Sequence, residues 1–141
     1  MKYYYAAGLL LGLTACNKDT PAPAPEPALA GSWRMNSYKE SLYDGNGQFV
    51  WEQALPWPSG YVVLTDNTWQ HFGDDDVPSQ SGLPFTYTRT GSTLRLMLGN
   101  DQREYSILKL TEHELELKYV LGRIYPSGQR NTSVYIETYA R

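Results

Sequence analysis

The sequence contains few of the residues on which redox chemistry, metal binding and nucleophilic catalysis depend. Its 141 residues include one cysteine, Cys16, and two histidines, His71 and His113. A single cysteine excludes an internal disulfide and any metal site built from several thiolates. The two histidines do not form an H-x-x-x-H pair, and no G-x-S-x-G motif is present. We therefore expect a protein that is not an enzyme and that uses no cofactor and no metal.

Clustered positive charge is absent as well. The chain carries 12 Lys and Arg residues against 15 Asp and Glu, for a formal net charge of −3 at pH 7. No run of lysine or arginine could follow a phosphate backbone, so nucleic acid is not an expected partner. Aromatic residues are abundant at 13%, and the overall balance of apolar and charged residues is typical of one folded domain.

No apolar run is long enough to cross a bilayer as a helix, which takes about twenty residues. The longest run, from Tyr3 to Leu13, follows the lone positive charge of Lys2. A short apolar segment after a positive N-terminus is typical of a signal peptide. We therefore assign residues 1–15 to a leader that is removed.

The end of this leader, Leu13-Thr14-Ala15-Cys16, resembles the lipobox of bacterial lipoproteins. The resemblance implies that Cys16 is diacylated, becomes the new N-terminus and is acylated again with a fatty acid such as palmitate. Two or three acyl chains attach a protein stably to a membrane. By the same resemblance, Asn17 after the cysteine implies that the protein is located in the outer membrane of a bacterial cell envelope. The sequence leaves open whether the domain faces the periplasm or the cell surface. The alternative is an ordinary secretory signal with a chance cysteine.

Residues 16–28 combine this cysteine with a segment rich in proline and alanine, Pro21-Ala22-Pro23-Ala24-Pro25-Glu26-Pro27. Such a composition favours extended polyproline conformation and cannot form a core. We predict a tether that lifts the following domain from the membrane surface.

Short segments rich in Tyr, Trp, Val, Thr and Leu alternate with Gly, Pro, Asn and Asp from residue 29 to residue 141. The pattern is typical of β-strands joined by tight turns. We predict an all-β domain, an antiparallel up-and-down meander of about eight strands closed into a small barrel, because closure hides the strand edges. The predicted strands are 31–40, 48–54, 60–65, 68–73, 84–90, 93–98, 103–110, 114–121 and 132–140.

The alternation of apolar and polar residues is clearest at 114–121. Leucine or tyrosine occupies every second position, and glutamate or lysine fills most of the positions between them. One face of this strand therefore belongs in a core and the other in water. The predicted inward set is Leu115, Leu117, Tyr119 and Leu121.

The domain begins with Gly31-Ser32-Trp33, and this Gly-x-Trp start is similar to the first strand of lipocalins. The whole span 29–141 resembles the lipocalin-like domains of Bacteroidetes lipoproteins. The resemblance implies a barrel in which Trp33 plugs the closed end, with Arg141 as the best candidate for the arginine that packs on this tryptophan. The chain departs from the family in lacking its later Thr-Asp turn and its C-terminal helix.

The high content of aromatic residues is the strongest indication of a binding site. A barrel of about eight strands has an interior that side chains just fill or that holds one small ligand. Our leading hypothesis is a small lipophilic or aromatic ligand, with the loop from Gly73 to Pro84 as a gate. The candidate lining residues are Trp51, Trp69, Tyr87, Tyr105 and Tyr119.

Two alternatives stay open at this point. The barrel could be filled, in which case surface loops, including Trp57 between Pro56 and Pro58, would dock a protein or glycan of the envelope. Separately, Asp74, Asp75 and Asp76 form the densest cluster of charge. These carboxylates either collect calcium, which prefers oxygen ligands, or form a solvated loop.

Overall fold

The computed structural model describes residues 27–56, 60–73 and 84–141 and contains nine β-strands within them. All nine lie where the sequence predicted strands. In the described part of the chain, no helix is long and apolar enough to cross a membrane. The strands are β1 (Gly31–Tyr43), β2 (Phe49–Ala54), β3 (Gly60–Leu64), β4 (Thr68–Gly73), β5 (Phe85–Thr90), β6 (Thr93–Leu98), β7 (Asp101–Leu110), β8 (Glu114–Ile124) and β9 (Arg130–Ala140).

Tight turns connect most of the neighbouring strands, as the turn residues predicted. Between β1 and β2, the Asp44 carboxylate accepts hydrogen bonds from the backbone N–H groups of Asn46 and Gln48, at 2.9 and 2.8 Å. Gly47 completes this turn with a φ of 78°, a left-handed conformation that glycine adopts without steric cost.

Eight of the strands close into an antiparallel barrel. Neighbours from β3 through β9 pair in sequence, and β1 closes the ring by pairing with β9 on one side and with β3 on the other. This confirms the predicted all-β barrel.

Strand β2 departs from a simple meander because it does not lie between β1 and β3. Only residues 31–34 of β1 pair with β3, while residues 39–43 pair with β2 along the same edge. Because β1 is 13 residues long, its first part can pair with β3 and its last part with β2. β2 is therefore an extra strand outside the closed ring.

The core fills the half of the barrel near Trp33. Leu115 and Leu117 are completely buried, as predicted, and they pack in one cluster with Trp33, Leu94 and Leu64. The predicted inward position of Leu121 is correct in register, since it lies opposite the buried Ser133, but its side chain is 46% exposed. The pairing of β7 with β8 ends at Lys118, so β7 does not extend beside Leu121.

The two ends of the barrel differ. The turns at 65–67, 91–92 and 111–113 lie at the end that contains Trp33, which we call the closed end. Arg141 also lies there, and its N–H donates to the His113 carbonyl at 3.2 Å. The turns at 44–48, 99–100 and 125–129 lie at the opposite end, where inward positions such as Arg123 are exposed. We call this the open end.

Candidate ligand-binding site

The inner surface toward the open end is aromatic and polar, and its rings continue into the core, since Trp69, Tyr105 and Tyr139 belong to the buried cluster that contains Trp33. Successive residues of a strand point to opposite faces, so every second residue of β9 faces the interior. The buried positions of that series are Ser133, Tyr135, Glu137 and Tyr139. The same alternation turns Tyr38 of β1 inward, where it lies opposite Glu137.

Five rings form a continuous series across five strands, which we call the aromatic series. Ring centroids are separated by 6.1 Å between Trp69 and Tyr105, 5.0 Å between Tyr105 and Tyr119, 4.4 Å between Tyr119 and Tyr135, and 5.7 Å between Tyr135 and Tyr38. Three of these four pairs are stacked within 21° of parallel. Such contacts fix ring orientation and present broad π faces.

Phenol hydroxyls accompany the rings. The hydroxyls of Tyr38 and Tyr119 lie 2.9 Å apart in a hydrogen bond. Burial raises the pKa of Tyr38, Tyr105, Tyr119 and Tyr139, so all four phenols stay protonated and remain hydrogen-bond donors at neutral pH.

Glu137 is the most deeply buried carboxyl group of this surface, with 5% of the residue exposed. The Tyr139 hydroxyl donates a hydrogen bond of 2.7 Å to its Oε2 atom. Burial raises the pKa of Glu137 to about 7, although the Tyr139 hydrogen bond and the charge of Arg103 both act to lower it. Oε1 is not one of the buried side-chain atoms that lack a hydrogen-bond partner.

Arg103 and His71 bring nitrogen groups toward the same region. Arg103 is an exposed residue of β7 whose charge acts on Glu137, on Tyr105 and on His71. Burial, together with the charge of Arg103, lowers the pKa of His71 to about 4. His71 is therefore neutral at physiological pH. Its Nε2 atom accepts a hydrogen bond of 3.0 Å from the Trp69 indole nitrogen, which assigns the ring proton to Nδ1.

A second carboxyl group, Glu40, lies closer to the open end. The Tyr135 hydroxyl donates to Glu40 Oε1 at 2.8 Å, and Arg123 approaches the same oxygen at 3.5 Å. Arg123 also donates to the Tyr135 hydroxyl at 2.6 Å. Burial acts to raise the pKa of Glu40, but nearby hydroxyls and the Arg123 charge outweigh it and lower that pKa below its ordinary value. Glu40 is therefore ionised and paired.

The Ser133 hydroxyl is fully buried on the inner face of β9 and is one of the hydroxyls that lower the pKa of Glu40 by hydrogen bonding. Asn131 Oδ1, on the same face, is buried without a hydrogen-bond partner among the described residues. A buried polar atom without a partner costs free energy, so water or a ligand group is expected beside it.

The structure brings together three of the five predicted lining residues. Trp69, Tyr105 and Tyr119 are consecutive members of the aromatic series. Tyr87 also faces inward, but its hydroxyl donates to the Thr65 carbonyl at 2.6 Å, which places it toward the closed end. Trp51 lies on the extra strand β2, opposite Leu42 and outside the closed ring, and is 36% exposed.

The sequence reasoning missed several residues of this surface. Tyr38, Arg103, Tyr135, Glu137 and Tyr139 were not among the predicted lining residues. The signal was present at 131–139, where polar and aromatic residues alternate with Val134 and Ile136. β-branched residues suggest a buried face, yet here the buried positions of β9 are Ser133, its two tyrosines and Glu137.

Other predicted features lie elsewhere. His113 is exposed in the turn between β7 and β8, as expected. Ser106 and Lys109 have the S-x-x-K spacing, but both are exposed on β7, and Lys109 forms an ion pair with Glu114. Cys16, Trp57, Asp74, Asp75 and Asp76 lie outside the described residues, as do the tether through residue 26 and positions 74–83 of the predicted gate.

Within the described ranges, no three His, Cys, Asp or Glu side chains are grouped so that they could hold a metal ion. The arrangement instead combines aromatic rings, phenol hydroxyls and a buried carboxyl group, which are typical of sites for organic molecules. No protein-family model matches the chain, and comparison with curated proteins finds no match either.

Proposed function

We propose that the protein is a lipoprotein of the bacterial cell envelope that binds a small lipophilic or aromatic molecule in the open half of its barrel. In this proposal Cys16 carries the lipid, residues 16–28 are the tether and the aromatic series forms one wall of the binding site. Binding, and no chemical conversion, is the activity proposed.

The observation that carries the proposal is the change in character of the inner surface along the barrel axis. The closed half is packed with leucine, valine, tryptophan and tyrosine, Trp69, Tyr105 and Tyr139 among them, and its largest side chains are fully buried. The open half has rings and polar groups. Tyr38 and Tyr119 there are half-buried, and Arg103 is exposed. Packing alone favours aliphatic residues at inward positions, whereas ring faces with a few convergent polar groups are typical of ligand sites.

One gap in the barrel wall lies beside this surface. Strand β7 separates from β8 beyond the pair of Ser106 with Lys118. Incomplete pairing lowers the cost of local opening, so a molecule could reach the interior here without unfolding the barrel.

The position of the chain start supports an anchored orientation. Arg141 holds the carbonyls of Ala28 and Ala30 at the closed end, each at 3.0 Å. A tether that joins the domain at residue 28 therefore leaves from the closed end, and the open end is the part of the barrel farthest from that attachment.

Native mass spectrometry tests the proposal directly. Residues 17–141, which contain every strand, are produced behind an ordinary secretory signal in a host with a cell envelope and are purified without detergent. We expect a stoichiometric mass excess that disappears when the same sample is denatured and extracted with solvent. A bare mass, in a sample whose circular dichroism shows a folded β-protein, would contradict ligand carriage.

One observation favours a second candidate, an interaction protein with a filled barrel. Large apolar side chains are exposed on β2 and on the outer part of β8, including Phe49 at 59% and Ile124 at 73%. Exposed apolar groups of this kind are common where a protein docks to a partner. This candidate predicts a bare mass together with loss of partner binding when Phe49 and Ile124 are changed to serine.

A further inference from the structure

We propose that the protein forms a dimer through the outer part of β8, where residues 119–124 pair antiparallel with the same residues of a second copy. We call this segment the β8 edge. The inference goes beyond the proposed function, because it concerns an edge of the barrel wall and does not depend on a bound molecule.

The β8 edge has a partner strand on one side only. Strand β9 pairs with β8 along its whole length, from Glu114 to Ile124. Strand β7 pairs with β8 only as far as Lys118, and within the residues that the structure describes no other strand pairs with the β8 edge. Residues 120–124 are all exposed. The backbone N–H and C=O groups on that side therefore lack the partners that a neighbouring strand supplies.

Alternation along the ladder shows which residues carry these free groups. The Tyr125 N–H donates to the Gln129 carbonyl at 2.9 Å, so the odd-numbered residues of β8 direct their backbone groups toward β9. Residues 120, 122 and 124 therefore direct theirs to the unpaired side. The register between β8 and β9 runs without a shift from 114 to 124, so these groups are regularly spaced. A regular, exposed and apolar edge is a template for another strand.

Strand β2 also lies at the end of the sheet, but its edge is protected. Its register against β1 shifts once, and a bulge of this kind interrupts the regular spacing that strand addition requires. It also carries the charge of Glu52, which forms an ion pair with Lys39 at 3.1 Å. The one charged residue of the β8 edge, Arg123, lies on the inner face and approaches Glu40 at 3.5 Å. The β8 edge is therefore the better site for strand addition.

The side chains of the β8 edge favour a second copy as the added strand. When Gly122 lies opposite Gly122 of the partner, Val120 of each protomer lies opposite Ile124 of the other. These two side chains are 55% and 73% exposed, so the pairing would bury the two most exposed apolar groups of β8. Leu121 would lie opposite the aliphatic stem of Arg123. No like charges face each other in this register.

Other registers use the edge less well. Sliding the partner by two residues in one direction places Arg123 opposite Arg123 and aligns residue 120 with Pro126, which has no N–H. Sliding it by two residues in the other direction requires Lys118, whose residue already pairs with Ser106 of β7. A shift of one residue would place free groups opposite groups that are bonded to β9. The register centred on Gly122 uses every free group.

Sedimentation velocity on residues 17–141 tests self-association. The protein should change from monomer to dimer as its concentration rises from about 1 μM to about 1 mM, the range expected for a small interface. Val120→Pro removes an N–H that points away from β9, so it should weaken dimerisation about tenfold through the loss of two hydrogen bonds per dimer. Val120→Ile keeps the N–H and a branched apolar side chain. It is the matched control and should dimerise within about threefold of the unchanged protein.

Two charged variants test the register. Val120→Glu and Ile124→Lys each place a charge opposite an apolar side chain of an identical partner, so each alone should dimerise about tenfold more weakly. In an equimolar mixture, the new carboxylate of one protomer would lie opposite the new ammonium group of the other, and the second pair of Val120 with Ile124 would stay intact. The mixture should therefore form a mixed dimer more tightly than either variant dimerises alone.

Three results would overturn the inference. They are a chain that stays monomeric at the highest concentration, a dimer that Val120→Pro leaves unchanged, and charged variants that associate no better together than apart. A dimer that Phe49→Ser abolishes and Val120→Pro does not would assign the contact to β2 instead. Val120 and Ile124 are exposed, so circular dichroism should show a folded β-protein for each variant. The two charged variants keep the test decisive even if Val120→Pro does not fold.

Discussion

The guanidinium carbon of Arg141 lies 4.1 Å from the centre of the Trp33 ring, so the last residue of the chain covers the tryptophan of the first strand. The same guanidinium donates to the carbonyls of Glu112, Ala30 and Ala28, at 2.6, 3.0 and 3.0 Å. Trp33 in turn donates its indole N–H to the Leu29 carbonyl at 2.9 Å. The contact predicted for Arg141 is confirmed, and it joins the chain start, the β7–β8 turn and the end of β9.

Replacing Arg141 by alanine should therefore destabilise the closed end. The substitution removes one cation–π contact and three hydrogen bonds, and we expect the free energy of unfolding to fall by about 2 kcal/mol. Urea unfolding followed by tryptophan fluorescence measures this change. Arg130→Ala, at the exposed opposite end of β9, is the matched control and should leave stability within about 0.5 kcal/mol of the unchanged protein. Equal effects of the two substitutions would contradict a special role for Arg141.

Gly31 leaves the space through which Arg141 passes. A Cβ atom at position 31 would lie 2.6 Å from Arg141 Nη1, and Gly31 has a φ of 143°, which side chains rarely adopt. We expect Gly31→Ala to destabilise the protein by about 1–3 kcal/mol and to displace the guanidinium from the Trp33 ring. Gly122→Ala is the control, because a Cβ there meets nothing within 4 Å. A loss no larger for position 31 than for position 122 in thermal unfolding would rule out this account.

The strand pattern was readable from the sequence because turn residues and alternation act locally. The turns at Asp44, at Gly91 and at Gly99 are set by side-chain hydrogen bonds or by left-handed glycines, and neighbouring residues decide both. The place of β2 was not readable. It depends on how β1 divides its edge between two partners, and that choice is made by the closure of the whole ring.

The binding surface was only partly readable, for a related reason. Trp69, Tyr105 and Tyr119 stand out as large aromatics in alternating strands, and the fold brings them together. Glu137 did not stand out, because a glutamate within a strand is ordinarily on its wet face. Its inward position follows from the register of β9 against β1 and β8, which places it opposite Tyr38 and Leu117. Register between distant strands is not a local property of the sequence.

The proposed lipid anchor has its own test. Changing Cys16 to alanine removes the only sulfur to which a diacylglyceryl group could attach, so we expect the protein to move from the membrane fraction to the soluble fraction of the envelope. Fractionation with immunoblotting measures this distribution. Changing Asn17 to serine keeps the cysteine and should keep the protein on the membrane. Retention of the Cys16→Ala protein in the membrane fraction would overturn the lipoprotein proposal.

His71 should make the protein less stable in mild acid. Its pKa is about 4 in the folded protein against an ordinary value of 6.5. Between these values the unfolded chain binds the proton more readily, so the stability that neutral His71 contributes is present above pH 6.5 and is lost as the pH falls toward 4. We expect the unchanged protein to lose about 2 kcal/mol relative to His71→Gln across this range, after allowance for solvent screening. Glutamine can still accept the Trp69 hydrogen bond. Parallel stability curves for the two proteins would contradict the shift.

Glu137 should make the protein less stable as the pH rises, which is opposite to the effect of His71. Its pKa is about 7 in the folded protein against an ordinary value of 4.5, so the folded state holds a proton that the unfolded chain has already released. The stability associated with that proton is fully present below pH 4.5 and is lost as the pH rises through 7. Relative to Glu137→Gln, the free energy of unfolding of the unchanged protein should fall by about 3 kcal/mol between pH 4 and pH 8. Urea unfolding at half-unit pH steps measures the difference, with Glu104→Gln as the exposed control.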